Sequence, residues 1–281
     1  MHLEKPIDLK EAVRCENIAT MLTEDECSTI ARKVIEGFEL DKASRADWEE
    51  KMAGALDLAL QVSEEKTFPW QGCSNVKFPL ITIAALQFHA RAYPALIPGP
   101  EIVQCRTFGA DPDGRKAARS QRVASHMSYQ VLEEDEGWED NMDRVLITVP
   151  IVGCAFKKSY FDPSVGHNVS ENILAKDVYV PYFAQTLEKA SRITQVLYLS
   201  HNEIVEKERR GIYCEGVHEV RPMIDGEDEL EASRSKAQGI NTAGDDPATP
   251  YEVLEQHRWF DLDCDGYQEP YIVSVRKDTG A

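Results

Sequence analysis

The stretch from Phe68 to Pro94 reads FPWQGCSNVKFPLITIAALQFHARAYP. It opens with a Pro69-Trp70-x-Gly72 turn, passes through Ser74-Asn75 to Phe78-Pro79, and becomes a dense apolar run that stops at Tyr93-Pro94. Pro79 suits the first position of a helix, where its missing N–H leaves nothing unsatisfied. Leu80, Ile81, Ile83, Ala84, Ala85, Leu86 and Phe88 are apolar nearly all round, which predicts a helix buried on several sides. No residue in the stretch carries obvious chemistry, so it reads as a structural module.

Helices are also written on its N-terminal side. Thr23-Glu24-Asp25-Glu26 is a capping box, and Cys27, Ile30, Ala31, Val34 and Phe38 follow as an apolar stripe with Gly37 near the expected stop. A second helix from Ser44 places Trp48, Met52, Ala55, Leu56 and Ala59 on one face. Core packing is the plain reading of both stripes.

On the C-terminal side, residues 102–108 read as a strand, Asp111 to Gly114 as a turn, and Arg115 to about Leu132 as a long helix. A helix from Trp138 carries Met142, Val145, Leu146 and Val149, and Pro150 should kink or end it. Gly153 then permits a reversal into a strand from Cys154 to Phe161, which turns at Asp162-Pro163. Val178 to Val180 and Ile193 to Leu199 supply further strand, and Ser200 to Glu203 is a second capping box whose helix Gly211 closes. Residues 215–249 are polar and acidic and read as a flexible loop. The chain ends in a hairpin of Val253 to Phe260 and Pro270 to Arg276, so the expected class is mixed α+β, amphipathic helices packed on short antiparallel strands.

Composition narrows the functions. The 281 residues carry 49 acidic and 31 basic side chains, a net charge of −18, which argues against tight wrapping of nucleic acid and fits a surface that DNA passes without sticking. The seven cysteines include no CxxC spacing, a pattern of reducing compartments such as the cytoplasm. The first residues show no signal-peptide pattern, and no apolar run of about 18 residues predicts a membrane span.

Two places could carry chemistry. Asp261, Asp263 and Asp265, followed by Gly266, have the opening spacing of an EF-hand loop, where alternate carboxylates converge on a hard cation such as Ca²⁺. The position for the bidentate Glu holds Ile272, Glu269 is the available substitute, and no flanking helices are expected. An acidic turn whose Asp side chains accept from nearby backbone N–H groups is the plain alternative. Cys154 could be imagined as a nucleophile, but no cationic neighbour in sequence would lower its pKa. The histidines are scattered without metal-ligand spacing, His89 reading as a core or interface residue. Walker A, GxSxG and GxGxxG motifs are absent, so no enzyme and no cofactor is expected.

The Phe68–Pro94 block resembles the corresponding block of tailed-bacteriophage portal proteins, the large type of short-tailed phages. Three further blocks match in the same order: WEDNMDRVLITVPIVGCAFKKSY from Trp138, FDPSVGHNVSENILAKDVYVP from Phe161, and HRWFDLDCDGYQEPYIVSV from His257. The residues carrying the resemblance include Trp70, Gly72, Ser74, Asn75, Pro79, Arg91, Pro150, Gly153, Asp162 and Pro163.

The resemblance implies a subunit of a ring, commonly dodecameric, that forms the DNA conduit at one capsid vertex. Such a ring serves genome packaging and ejection. Terminase, scaffold or capsid and tail adaptor proteins dock on it, and duplex DNA passes without sequence-specific contact. The setting would be the virion, assembled in the bacterial cytoplasm. On this reading residues 1–41 form a helical arm, 42–214 the wing core, 215–249 the acidic loop, and 250–281 a wing hairpin, with stem, clip and crown beyond the sequence. The alternative function is a calcium-dependent binding module built on Asp261 to Asp265.

Overall fold

The computed structural model describes residues 6–61, 67–74, 78–163, 165–222 and 249–281. Among them are seven α-helices and two antiparallel sheets, so the chain is mixed α+β. Two compact units emerge: Met1–Lys51 with Lys176–Ala281, and Met52–Ala175. The predicted flexible loop lies mostly in 223–248, outside the described residues, as does Asn75.

The first unit is a four-stranded sheet in the order β3 (Val178–Tyr179), β4 (Arg192–Leu199), β5 (Tyr251–Phe260), β6 (Glu269–Arg276), every pair antiparallel. Strand side chains alternate between faces. Val196, Leu254 and Val275 point to one face and pack with Ile30, Ala31, Val34 and Phe38 of α2 (Glu24–Ser44). A single turn, α1 (Leu9–Ala12), adds Ala12 to this core. Leu199, Tyr251 and Val253 turn to the other face and pack with Ile204 of α7 (His201–Arg209) and with Val217. Two polar side chains fully buried inside the sheet satisfy each other: Gln256 donates to Thr194 Oγ1 at 2.8 Å and also reaches the Val34 carbonyl.

Both capping boxes form as the sequence predicts. Thr23 accepts from the Glu26 N–H while the Glu26 carboxylate accepts from Thr23, and Ser200 and Glu203 repeat the arrangement on α7. Gly37 does not end its helix. It lies buried inside α2, where a Cβ would stand 3.1 Å from Arg192 Nε, so its role is close approach rather than termination.

In the second unit, α4 (Leu80–Leu96) and the hairpin of β1 (Phe156–Asp162) and β2 (His167–Ile173) both pack on α6 (Trp138–Val152). Met52 to Ala59, the end of α3 (Ala46–Ala59), belong here too, and Thr82 Oγ1 donates to the Ala59 carbonyl at 2.7 Å. Pro94 and Pro150 sit in the last turns of α4 and α6, where losing one N–H does not stop the helix, and Gly153 at φ 89 ends α6.

Two expectations fail in this unit. Residues 102–108 are not a strand. Their polar backbone is bonded by serines of α5 (Arg115–Tyr129): the Val103 N–H donates to Ser128 Oγ at 3.1 Å and Ser120 Oγ donates to the Cys105 carbonyl at 2.9 Å. The segment is therefore an irregular strap along a helix. Nor is α4 buried on several sides: only Ala85 is buried, while Leu80 is 66% exposed and Leu86 54%. α6 covers one face of the helix, and the remaining apolar face lies open.

Candidate functional site

The loop after β5 gathers the acidic residues that the sequence singles out. Each Asp commits one oxygen to the turn. Asp261 Oδ2 accepts from Gly266 N at 3.2 Å, Asp263 Oδ1 from Asp265 N at 3.2 Å, and Asp265 Oδ1 from Tyr267 N at 2.7 Å. These bonds curl the loop tightly enough to put Cys264 at φ 62 and Gly266 at φ 94, the left-handed region. A carboxylate oxygen from each of Asp261, Asp263 and Asp265 lies within 4.8 Å of the others.

Bonding within a turn accounts for that much. It does not account for two further atoms. Asp261 Oδ1 and Glu269 Oε2 are both enclosed and accept no hydrogen bond from any described residue. Glu269 opens β6 and faces the cluster. Loss of solvation first, and then the charges of Asp263, Asp265 and Asp261, push its carboxyl above the ordinary value of 4.5. The Tyr271 hydroxyl is pushed up by burial and then by the charges of Glu269, Asp263 and Asp261. Three hard oxygen donors thus converge beside a fourth carboxylate that feels their charge, and Asp261 and Glu269 each keep an oxygen that water does not reach, a set that suits Ca²⁺ or Mg²⁺ rather than a soft metal. Ile272, at the EF-hand Glu position, is 64% exposed on β6, and the loop is flanked by strands.

The family-motif residues occupy separate places instead of one site. Trp70 is 67% exposed, Gly72 takes φ 80, and Ser74 precedes the undescribed Asn75. Pro79 is the N-cap of α4, one residue before its expected place, and Arg91 is exposed on that helix. Pro150 and Gly153 end α6, and Asp162-Pro163 turn the β1–β2 hairpin, where the Asp162 carbonyl accepts from Gly166 N at 2.9 Å. They set turns and helix ends. His89 is half-buried at the α4–α6 interface, its Nε2 2.5 Å from Asp143 Oδ1. Cys154 is partly buried between α6 and β1.

The sequence reading passes over a row of cations. Arg115, Arg119, Arg122 and His126 recur at helical spacing on α5, a helix without an acidic residue. The signal is legible in RKAARSQR but needs the helix register to be seen.

No protein-family model matches the chain, and no curated protein matches it. No helix among the described residues is long and apolar enough to cross a membrane.

Proposed function

We propose that the chain is a portal subunit, a non-enzymatic part of the ring through which phage DNA enters and leaves the capsid. The observation that carries this reading is the order of the four sequence blocks. Each block also coincides with folded elements: α4 with its preceding turn, α6 with β1, β2 with β3, and the β5–β6 hairpin. A shared block that forms a helix end or a tight turn constrains backbone geometry, which is what a scaffold preserves. The strongly acidic balance suits a conduit, because phosphates held by many cations would stall during translocation. The test is electron microscopy of the product of the complete reading frame. Closed rings with a channel wide enough for a duplex support the proposal. A protein that stays monomeric at high concentration, or tight sequence-specific DNA binding, sinks it.

A second reading is favoured by the two enclosed, unpartnered carboxylate oxygens of Asp261 and Glu269. On this reading the loop takes a divalent cation that neutralises the three converging aspartates, relieves their repulsion of Glu269 and fixes the β5–β6 turn. Calorimetric titration of Ca²⁺ and Mg²⁺ into metal-free protein tests it, with Asp261→Asn/Asp263→Asn as the control. No binding up to about 1 mM, the weak end of natural calcium sites, would dismiss the cation.

A further inference from the structure

α5 carries two opposite stripes. Ser120, Ala124 and Ser128 face the 102–108 strap, and Ser128 is fully buried there. Arg115, Arg119, Arg122 and His126 fall within about 60° of one another on the far side, along about 16 Å of helix. All four are exposed, and no described residue pairs with the three guanidinium groups. Lys116 lies beside them, its Nζ turned to the Ala110 carbonyl at 3.1 Å.

This stripe works against the helix that bears it. Arg115 and Lys116 stand at the positive end of the helix dipole, where cations are unfavourable. Arg115–Arg119 and Arg119–Arg122 are like-charge pairs at i,i+4 and i,i+3, which also destabilise an isolated helix. A negative partner would reverse each of these terms. Three arginines present forked donors suited to carboxylate or phosphate.

The same unit supplies the complement. Glu133, Glu136, Glu139 and Asp140 are exposed between the π-helical turn Gln130–Glu134, which follows α5, and the start of α6. No described ion pair joins this acidic segment to the basic stripe within one chain. We propose that the α5 stripe docks on the Glu133–Asp140 segment of a second copy of this chain, head to tail. Such a heterologous contact closes into a ring or propagates. Its setting rests on the ring reading above, and it adds which surfaces meet. Val123 and Met127, 42% and 43% exposed beside the arginines, would lose water in the same contact. A nucleic-acid backbone fits less well: the stripe offers fewer cations than the roughly 6–10 phosphate contacts of a typical DNA-binding protein, and the rest of the chain repels a polyanion.

The test uses the whole chain in sedimentation velocity at about 50 mM and about 500 mM salt, which span strong to weak charge interaction. Two variants neutralise one patch each: Arg115→Gln/Arg119→Gln/Arg122→Gln, and Glu133→Gln/Glu136→Gln/Asp140→Asn. Circular dichroism confirms that both fold. Wild type should associate at low salt and about tenfold more weakly at high salt. Each variant alone should be monomeric, and their mixture should form one-to-one pairs that grow no further. A monomeric wild type, variants that associate like wild type, or an inert mixture would overturn the contact. So would a labelled duplex that binds through the arginines while self-association is unaffected. Rings from the complete reading frame that survive the arginine variant would also overturn it and leave the portal reading intact. Pairing without any closed ring would support the contact and sink the portal reading alone.

Discussion

Arg192 donates two hydrogen bonds to Asp41, from Nε to Oδ2 at 2.8 Å and from Nη2 to Oδ1 at 2.6 Å. Asp41, on α2, is 2% exposed, and Arg192 opens β4, so this pair pins the helix to the sheet from within. Removing one partner of a buried pair leaves the other charge uncompensated, at a cost of about 3–5 kcal/mol. Asp41→Ala should lose that much in urea denaturation. Replacing both with apolar residues, as Asp41→Leu/Arg192→Met, should cost clearly less. Equal losses would show that packing, not charge, dominates the site.

Gly37 is tied to the same pair. A Gly→Ala change inside a helix ordinarily gains about 1 kcal/mol. Here the new Cβ would meet Arg192 Nε at 3.1 Å, Arg192 Cδ at 3.2 Å and Arg258 Nη1 at 3.4 Å. Neither arginine yields easily. Arg192 is held by Asp41, and Arg258 Nη1 donates to the Lys33 carbonyl at 2.8 Å. Gly37→Ala should therefore lower the melting temperature. In an Asp41→Ala background, where Arg192 is released, the loss should shrink.

Legibility in the sequence followed how local each signal was. Capping boxes and the β5–β6 hairpin depend on residues within a few positions, and the structure has them where the sequence places them. The 102–108 segment has strand-like composition, but a strand needs a neighbouring edge, and α5 serines take its backbone groups instead. Gly37 looked like a stop because its reason, two arginines from distant strands, is not local. α4 misled because an apolar sequence records what a helix can bury, not what covers it in one chain. At the acidic loop, spacing marked Asp261, Asp263 and Asp265, while the enclosed state of Glu269 Oε2 and Asp261 Oδ1 needed coordinates.

The open face of α4 sets up a contrast in core sensitivity. Leu80 is 66% exposed, whereas Leu254 on β5 is fully enclosed at 0%. Leu80→Ala should change stability by no more than about 0.5 kcal/mol. Leu254→Ala should cost about 2–5 kcal/mol. Chemical denaturation of the two variants under conditions that keep the chain monomeric checks both. A large loss for Leu80→Ala would mean that its face is covered by something within the monomer.

Glu269 gives a pH signature that also bears on the cation. Its carboxyl is raised above 4.5 by lost solvation and by the three aspartates, so the folded chain keeps that proton at a pH where the unfolded chain has released it. The ionised group therefore destabilises the fold above the folded pKa, and the cost is relieved as pH falls through that value toward the ordinary range. Glu269→Gln, which cannot ionise, should be more stable than wild type at neutral pH without divalent ions. Its advantage should narrow with falling pH and vanish below the ordinary carboxyl range. A divalent cation would supply the missing positive charge, so Ca²⁺ should raise the melting temperature of wild type more than that of Glu269→Gln. Melting curves across pH, with chelator and then with Ca²⁺, measure both effects. Superimposable curves without the ion would mean that Glu269 does not sense the aspartates, and the cation reading would lose its support from that residue.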